Sequence, residues 1–89
     1  MSVYYVYILE TTTKNGRTNF YTGYTKDLFR RWNQHRNGSG AKYCRGKKKV
    51  ELKYFETYIN RKVAMRRELE IKSFSRQKKL KLIKNFNNS

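Results

Sequence analysis

Apolar and polar positions divide the chain into six segments, each with its own period. Residues 3–9, VYYVYIL, form an unbroken apolar and aromatic run, too short for a buried helix and rich in residue types that suit a pleated surface. A polar stretch with Asn15-Gly16 at its tip follows, then TNFYTG, so the two runs predict an antiparallel hairpin. From about residue 27 the period changes to that of a helix, with Thr25 or Asp27 as its cap and Gly38 and Gly40 as its stop. Residues 50–58, VELKYFETY, alternate imperfectly and predict a third strand. Asn60 can cap a helix running to about residue 74, and Ser75 can cap a last short helix, RQKKLKLIKNF. The order ββαβαα predicts an α/β (α+β) fold: a small three-stranded antiparallel sheet flanked by about three helices, in one domain spanning 1–89 with its core in about 3–86.

In the first helix Leu28, Arg31, Trp32 and His35 share an arc of roughly 100°, while Arg30, Asn33 and Gln34 point elsewhere. Two polar residues are thus turned toward the core side. Charge sharpens the picture. With 22 Lys+Arg against 6 Asp+Glu the net charge is +16, which points to a polyanionic partner, nucleic acid before any other. At 37% hydrophobic and 16% aromatic residues the chain is too apolar to be disordered. The single Cys44 cannot form an internal disulfide, there is no signal-like start and no run of about 18 apolar residues, so a cytoplasmic location without membrane insertion is expected.

Tyr5-Val6-Tyr7, then Tyr21-Thr22-Gly23, then Leu28, Arg31 and His35, and finally Glu68 four residues after Ala64, stand in an order that resembles the GIY-YIG endonucleases, particularly their very small stand-alone bacterial members. The similarity runs over roughly residues 4–83. Tyr5 stands where the family has glycine, and the loop between the two motifs is somewhat longer than usual. The resemblance implies a metal-dependent endonuclease that hydrolyses DNA phosphodiester bonds, with one divalent ion, Mg²⁺ or Mn²⁺, held by Glu68, and with no haem or nucleotide cofactor. It implies Tyr7 or Tyr21 as proton acceptor, Arg31 as phosphate clamp, His35 as a hydrogen-bonding partner at the site, Gly23 as a point of close approach, and Glu68 closing that same site from the second helix.

Several of these residues also have ordinary roles. Strand tyrosines are commonly core residues, a phenol with a pKa near 10 needs a cation nearby to ionise, and one arginine among 22 basic residues is commonly solvated. Glu68 falls inside the buried arc of its helix, where Arg67 or Lys72 could pair with it, whereas Glu70 is placed to pair with Arg66 on the surface. Lys26, Lys42, Tyr43, Arg45, Lys47, Lys48, Lys49, Lys78 and Lys79 are candidates for tracking phosphates, Tyr43 also for stacking on a base. The alternative to an enzyme is a non-catalytic nucleic-acid-binding module on the same scaffold.

Overall fold

The computed structural model describes residues 2–38 and 46–88. Strands β1 (Tyr4–Thr12), β2 (Thr18–Thr25) and β3 (Lys49–Tyr58) and helices α1 (Leu28–Arg36), α2 (Arg61–Lys72) and α3 (Arg76–Asn87) follow in the order ββαβαα. Both partners of β1 are antiparallel to it, giving the sheet order β2-β1-β3. The hairpin extends further than the apolar runs indicate, because Thr11 is buried and Thr12 still pairs with Thr18. Its tip is closed by Gly16, whose φ of 83° lies where an L side chain is strained.

Alternation along the central strand divides the core in two. Val6 and Ile8 face one side, where they pack with Tyr54, Ala64, Ile71 and Ile83 under α2 and α3. Tyr7 and Leu9 face the other, with Leu28, Val50 and Trp32 beneath α1. The imperfect alternation of β3 has a structural cause. Ile8 pairs with Tyr54 but Leu9 with Leu52, so Lys53 is an extra residue in the ladder. That bulge sends Val50 and Leu52 to the α1 side and Tyr54 to the other.

Each helix starts at a side-chain cap. Asp27, Asn60 and Ser75 accept from the backbone N–H of Arg30 (3.1 Å), Val63 (3.2 Å) and Lys78 (3.2 Å). A polar cluster ties α2 to β3: Arg67 donates to both oxygens of Glu56 from Nε and Nη2, each at 2.9 Å, and Tyr54 and Tyr58 also donate to that carboxylate. Burial works to raise the Glu56 carboxyl, but the Arg67 fork and the two phenols outweigh it and hold it below its usual value. Burial and the same carboxylate push Tyr54 and Tyr58 up to about 12. Arg67 also bridges to Glu70. Glu70 therefore pairs with the residue three positions before it and not with Arg66, because Nη1 of Arg67 is left over once its other nitrogens are on Glu56.

Replacing Asn60 by Ala is expected to destabilise the fold by about 1 kcal/mol. A calorimetric scan should show this as a fall in Tm of roughly 4–8 °C.

Candidate active site

The register of the first two strands brings the motif residues together. Tyr7 is the direct partner of Gly23, and Tyr21 lies two residues along on the same face, opposite Leu9. The Tyr7 ring crosses the space that a side chain at position 23 would fill: a Cβ there would stand 2.5 Å from the Tyr7 hydroxyl and 2.7 Å from Cζ. Glycine is required here by the tyrosine, not by the backbone, whose φ at this residue is an ordinary one.

From α1, His35 drops onto this pair. Its Nε2 is 2.9 Å from the Tyr7 hydroxyl, and both residues are almost fully enclosed, at 0% and 2% exposure. The His35 ring also lies 5.1 Å from the Tyr21 ring, centroid to centroid, and the two tyrosine rings are 6.5 Å apart. Burial, then the Arg31 guanidinium, lowers the His35 pKa to about 4. The imidazole is therefore neutral near pH 7.

Arg31 stands at the flank of this cluster. Its Nη1 donates to Gln34 Oε1 at 3.0 Å. Both line an open groove of about 470 Å³ together with Tyr24, Thr25, Lys26, Asp27 and Arg30. Gln34, placed by its helical angle away from the core, thus holds the arginine at the groove. The i, i+3 spacing of a carbonyl-bearing side chain after an arginine was the available signal.

Glu68 sits elsewhere. Its side chain is sheltered, at 15% exposure, with Lys72 Nζ 3.7 Å from its carboxylate. Lys72, one of the two partners considered, is thus its ion-pair neighbour. However, α2 packs on the Val6 and Ile8 face, whereas Tyr7, Tyr21 and His35 occupy the other. The structure brings together Tyr7, Tyr21, Gly23 and His35, sets Arg31 beside them, and leaves Glu68 across the sheet. Tyr24 links the two sides at the edge of β2: its ring packs with the α2-side core, its hydroxyl accepts from Arg61 Nη2 at 3.4 Å, and it lines the Arg31 groove.

Among the candidate phosphate-tracking residues, Lys26 lies 5.6 Å from the Tyr4 ring centroid and lines that groove. Lys78 covers the Phe74 ring at 4.1 Å, and the Lys79 pKa is lowered by burial and by Lys72. Lys47, Lys48 and Lys49 lie together beside Trp32 and Arg36. Lys42, Tyr43, Arg45 and Cys44 fall outside the described residues.

This arrangement of hairpin, helix and buried phenol coincides with a known domain. The model of the GIY-YIG catalytic domain matches residues 3–81, and the chain belongs to that family. Its relatives include UPF0213 proteins from Staphylococcus saprophyticus, 48% identical over 93% of this chain and 96% of theirs, and from Haloquadratum walsbyi, 47% identical over 89% and 84%. A solution NMR structure of a UPF0213 protein from Bacillus halodurans is 44% identical and superposes with a TM-score of 0.54, covering 92% of this chain and 83% of that one. Members of the family are usually nucleases, and no helix among the described residues is long and apolar enough to cross a membrane.

Two measurements test the cluster. Gly23→Ala is expected to lose about 1–3 kcal/mol through overcrowding, and the loss should be smaller in a Tyr7→Leu background, which a denaturant-based double-mutant cycle will read. The second concerns pH. His35 titrates at about 4 folded against 6.5 for the ordinary side chain. Between those values only the unfolded chain takes up the proton, so stability falls as pH drops from about 6.5 toward 4, by something on the order of 2 kcal/mol. Urea melts at pH 7.5 and 5 should show this loss, and His35→Gln should flatten it.

Proposed function

We propose that the chain is a divalent-metal-dependent endonuclease that hydrolyses phosphodiester bonds in DNA. The observation that carries this reading is the enclosed hydrogen bond between Tyr7 and a neutral His35, with Tyr21 against both and Arg31 beside them. A core that needed only apolar bulk would have no use for a buried phenol and imidazole joined in this way. The net charge of +16 and the family of the domain support nucleic acid as the substrate.

In hydrolysis a water oxygen bonds to phosphorus, the bond from phosphorus to the leaving oxygen breaks, and the proton of the water must go to a base. Tyr21, half-buried where Tyr7 is sealed, is the phenol that substrate can reach. Arg31 places a cation beside this cluster, lowering the cost of phenolate, and its fork suits two phosphate oxygens. Tyr7 and His35 back the Tyr21 ring from within the core, with ring centroids 6.5 and 5.1 Å from it.

A Mg²⁺ site of this kind needs one or two protein carboxylates, the remaining ligands being water and phosphate oxygens. Glu68 is the carboxylate that fits. It is sheltered, its ion pair with Lys72 is long, and the α2 side of β2 also carries a buried oxygen, Thr22 Oγ1, without a hydrogen-bond partner among the described residues. The described residues hold no cluster of three His, Cys, Asp or Glu, which argues against an all-protein metal cage. Bound there, the ion would supply Lewis-acid stabilisation of the charge that develops on phosphate oxygens.

One observation favours a second reading. Because Glu68 and the phenols occupy opposite faces, with the edge of β2 between them, the same scaffold could bind nucleic acid without cutting it. Incubating supercoiled plasmid and branched DNA with the protein in Mg²⁺, Mn²⁺ or EDTA separates the two. The nuclease reading expects metal-dependent cleavage that Glu68→Ala and Tyr21→Phe each reduce by about 100-fold or more, with DNA affinity and its salt slope retained. Binding without cleavage by the unaltered protein under every metal condition would establish the module instead.

A further inference from the structure

Helix α1 has a flank that the catalytic reading leaves unused. On the β3 side of α1 two hollows follow one another, the first meeting the Arg31 groove at Lys26 and Asp27. The first, of about 450 Å³, is walled by Tyr5, Leu28, Phe29, Leu52 and Phe55. The second, of about 320 Å³, lies between Trp32 and Arg36 on the helix and Lys47, Lys48 and Lys49 leading into β3, with Glu51 also in its wall and 3.5 Å from Lys49 Nζ, so that four cations there face one carboxylate. Phe29 is 69% exposed, an unusual position for a large ring in so polar a chain, and its centroid is 6.4 Å from that of Trp32. The platform is rigid. Trp32 Nε1 donates to Val50 O at 3.1 Å, fastening the helix to β3, and the Arg36 guanidinium lies 4.6 Å from the indole centroid.

We propose that this seam is a second binding site that takes an unpaired segment of nucleic acid, with bases against Phe29 and the ring-lined hollow and the sugar-phosphate chain along Arg36 and Lys47–Lys49. The proposal rests on the nucleic-acid reading above and narrows it to substrates with unpaired nucleotides beside the duplex. The argument is one of complementarity. Rings set beside cations match a base joined to a phosphate, since every base offers a face for stacking and its backbone is anionic. A duplex keeps its base faces stacked inside and could use only the lysines. The first hollow and the Arg31 groove meet at Lys26 and Asp27 and diverge along α1, so a strand in the groove and an unpaired strand in the seam would part at the start of the helix.

The chain has a single tryptophan, which makes Trp32 a built-in reporter. Titrating the protein with an oligothymidylate and with a duplex of equal length should quench its fluorescence strongly with the single strand and weakly with the duplex. Phe29→Ala, a change at an exposed position, should weaken single-strand binding by about tenfold and leave duplex affinity and the salt slope unchanged; Phe29→Tyr should restore the single-strand affinity. If the single strand binds with no quench and Phe29→Ala costs both ligands equally, the seam is not the site, while the nuclease reading stands. Failure of both ligands to bind in a salt-dependent manner would overturn both readings. A dimer in sedimentation that Phe29→Ala abolishes would mean a second copy of the chain occupies the seam, and would overturn this proposal alone.

Discussion

The packing of one ring over one missing side chain organises the centre of this molecule. Tyr7 can lie flat across β2 only because position 23 offers no Cβ, and once there its hydroxyl is sealed away from water. A buried hydroxyl without a partner costs on the order of 1–3 kcal/mol, so something must meet it. His35 does, and to reach Nε2 to that oxygen α1 has to sit at one height and one rotation on the sheet. That rotation in turn fixes what the other flanks of the helix present: Arg31 and Gln34 toward the β2 edge, Phe29 and Arg36 toward β3. The glycine, the phenol and the imidazole are therefore a single constraint distributed over three elements.

Charge is arranged to leave the surface positive. All six acids have work within the chain: Asp27 caps α1, Glu10 and Glu51 meet Lys53, Glu56 and Glu70 hold Arg67, and Glu68 faces Lys72. Against 22 cations this internal use of anions leaves the net charge of +16 to the exterior. Several of the cations rest on rings, Arg76 over Phe20 at 4.8 Å and Lys78 over Phe74 at 4.1 Å. Ring contacts of that kind order the side chain without neutralising it.

Much of this was legible before the structure because the informative signals are local. The continuous run at 3–9, the Asn15-Gly16 turn and the caps at Asp27, Asn60 and Ser75 each act within a few residues, and all six elements follow from them. The inward turn of His35 was likewise readable from helical angle. What escaped was set by contacts distant in sequence. The bulge at Lys53 depends on how β3 meets β1, and the grip of Arg67 on Glu56 joins residues eleven positions apart. The expectation that Glu68 shares one cavity with Arg31 and the two tyrosines fails for the same reason: the helix pattern marks Glu68 as sheltered, but which face of the sheet α2 covers is set by distant packing.

That last point bears on how such a small domain can place chemistry on both sides of three strands. Tyr21 lies on β2, an edge strand of the sheet, and the Arg31 groove opens beside it. Tyr24 is the residue that turns the corner, with its ring in the α2-side core and its hydroxyl joined to Arg61 in the first turn of α2. An extended phosphate chain lying along that edge would meet Arg31 and Lys26 from one face and the start of α2 from the other. On the nuclease reading, the edge strand rather than either face is then the line along which a phosphate chain would reach Tyr21 and Arg31 on one side and Arg61 on the other, with Glu68 two turns further along α2.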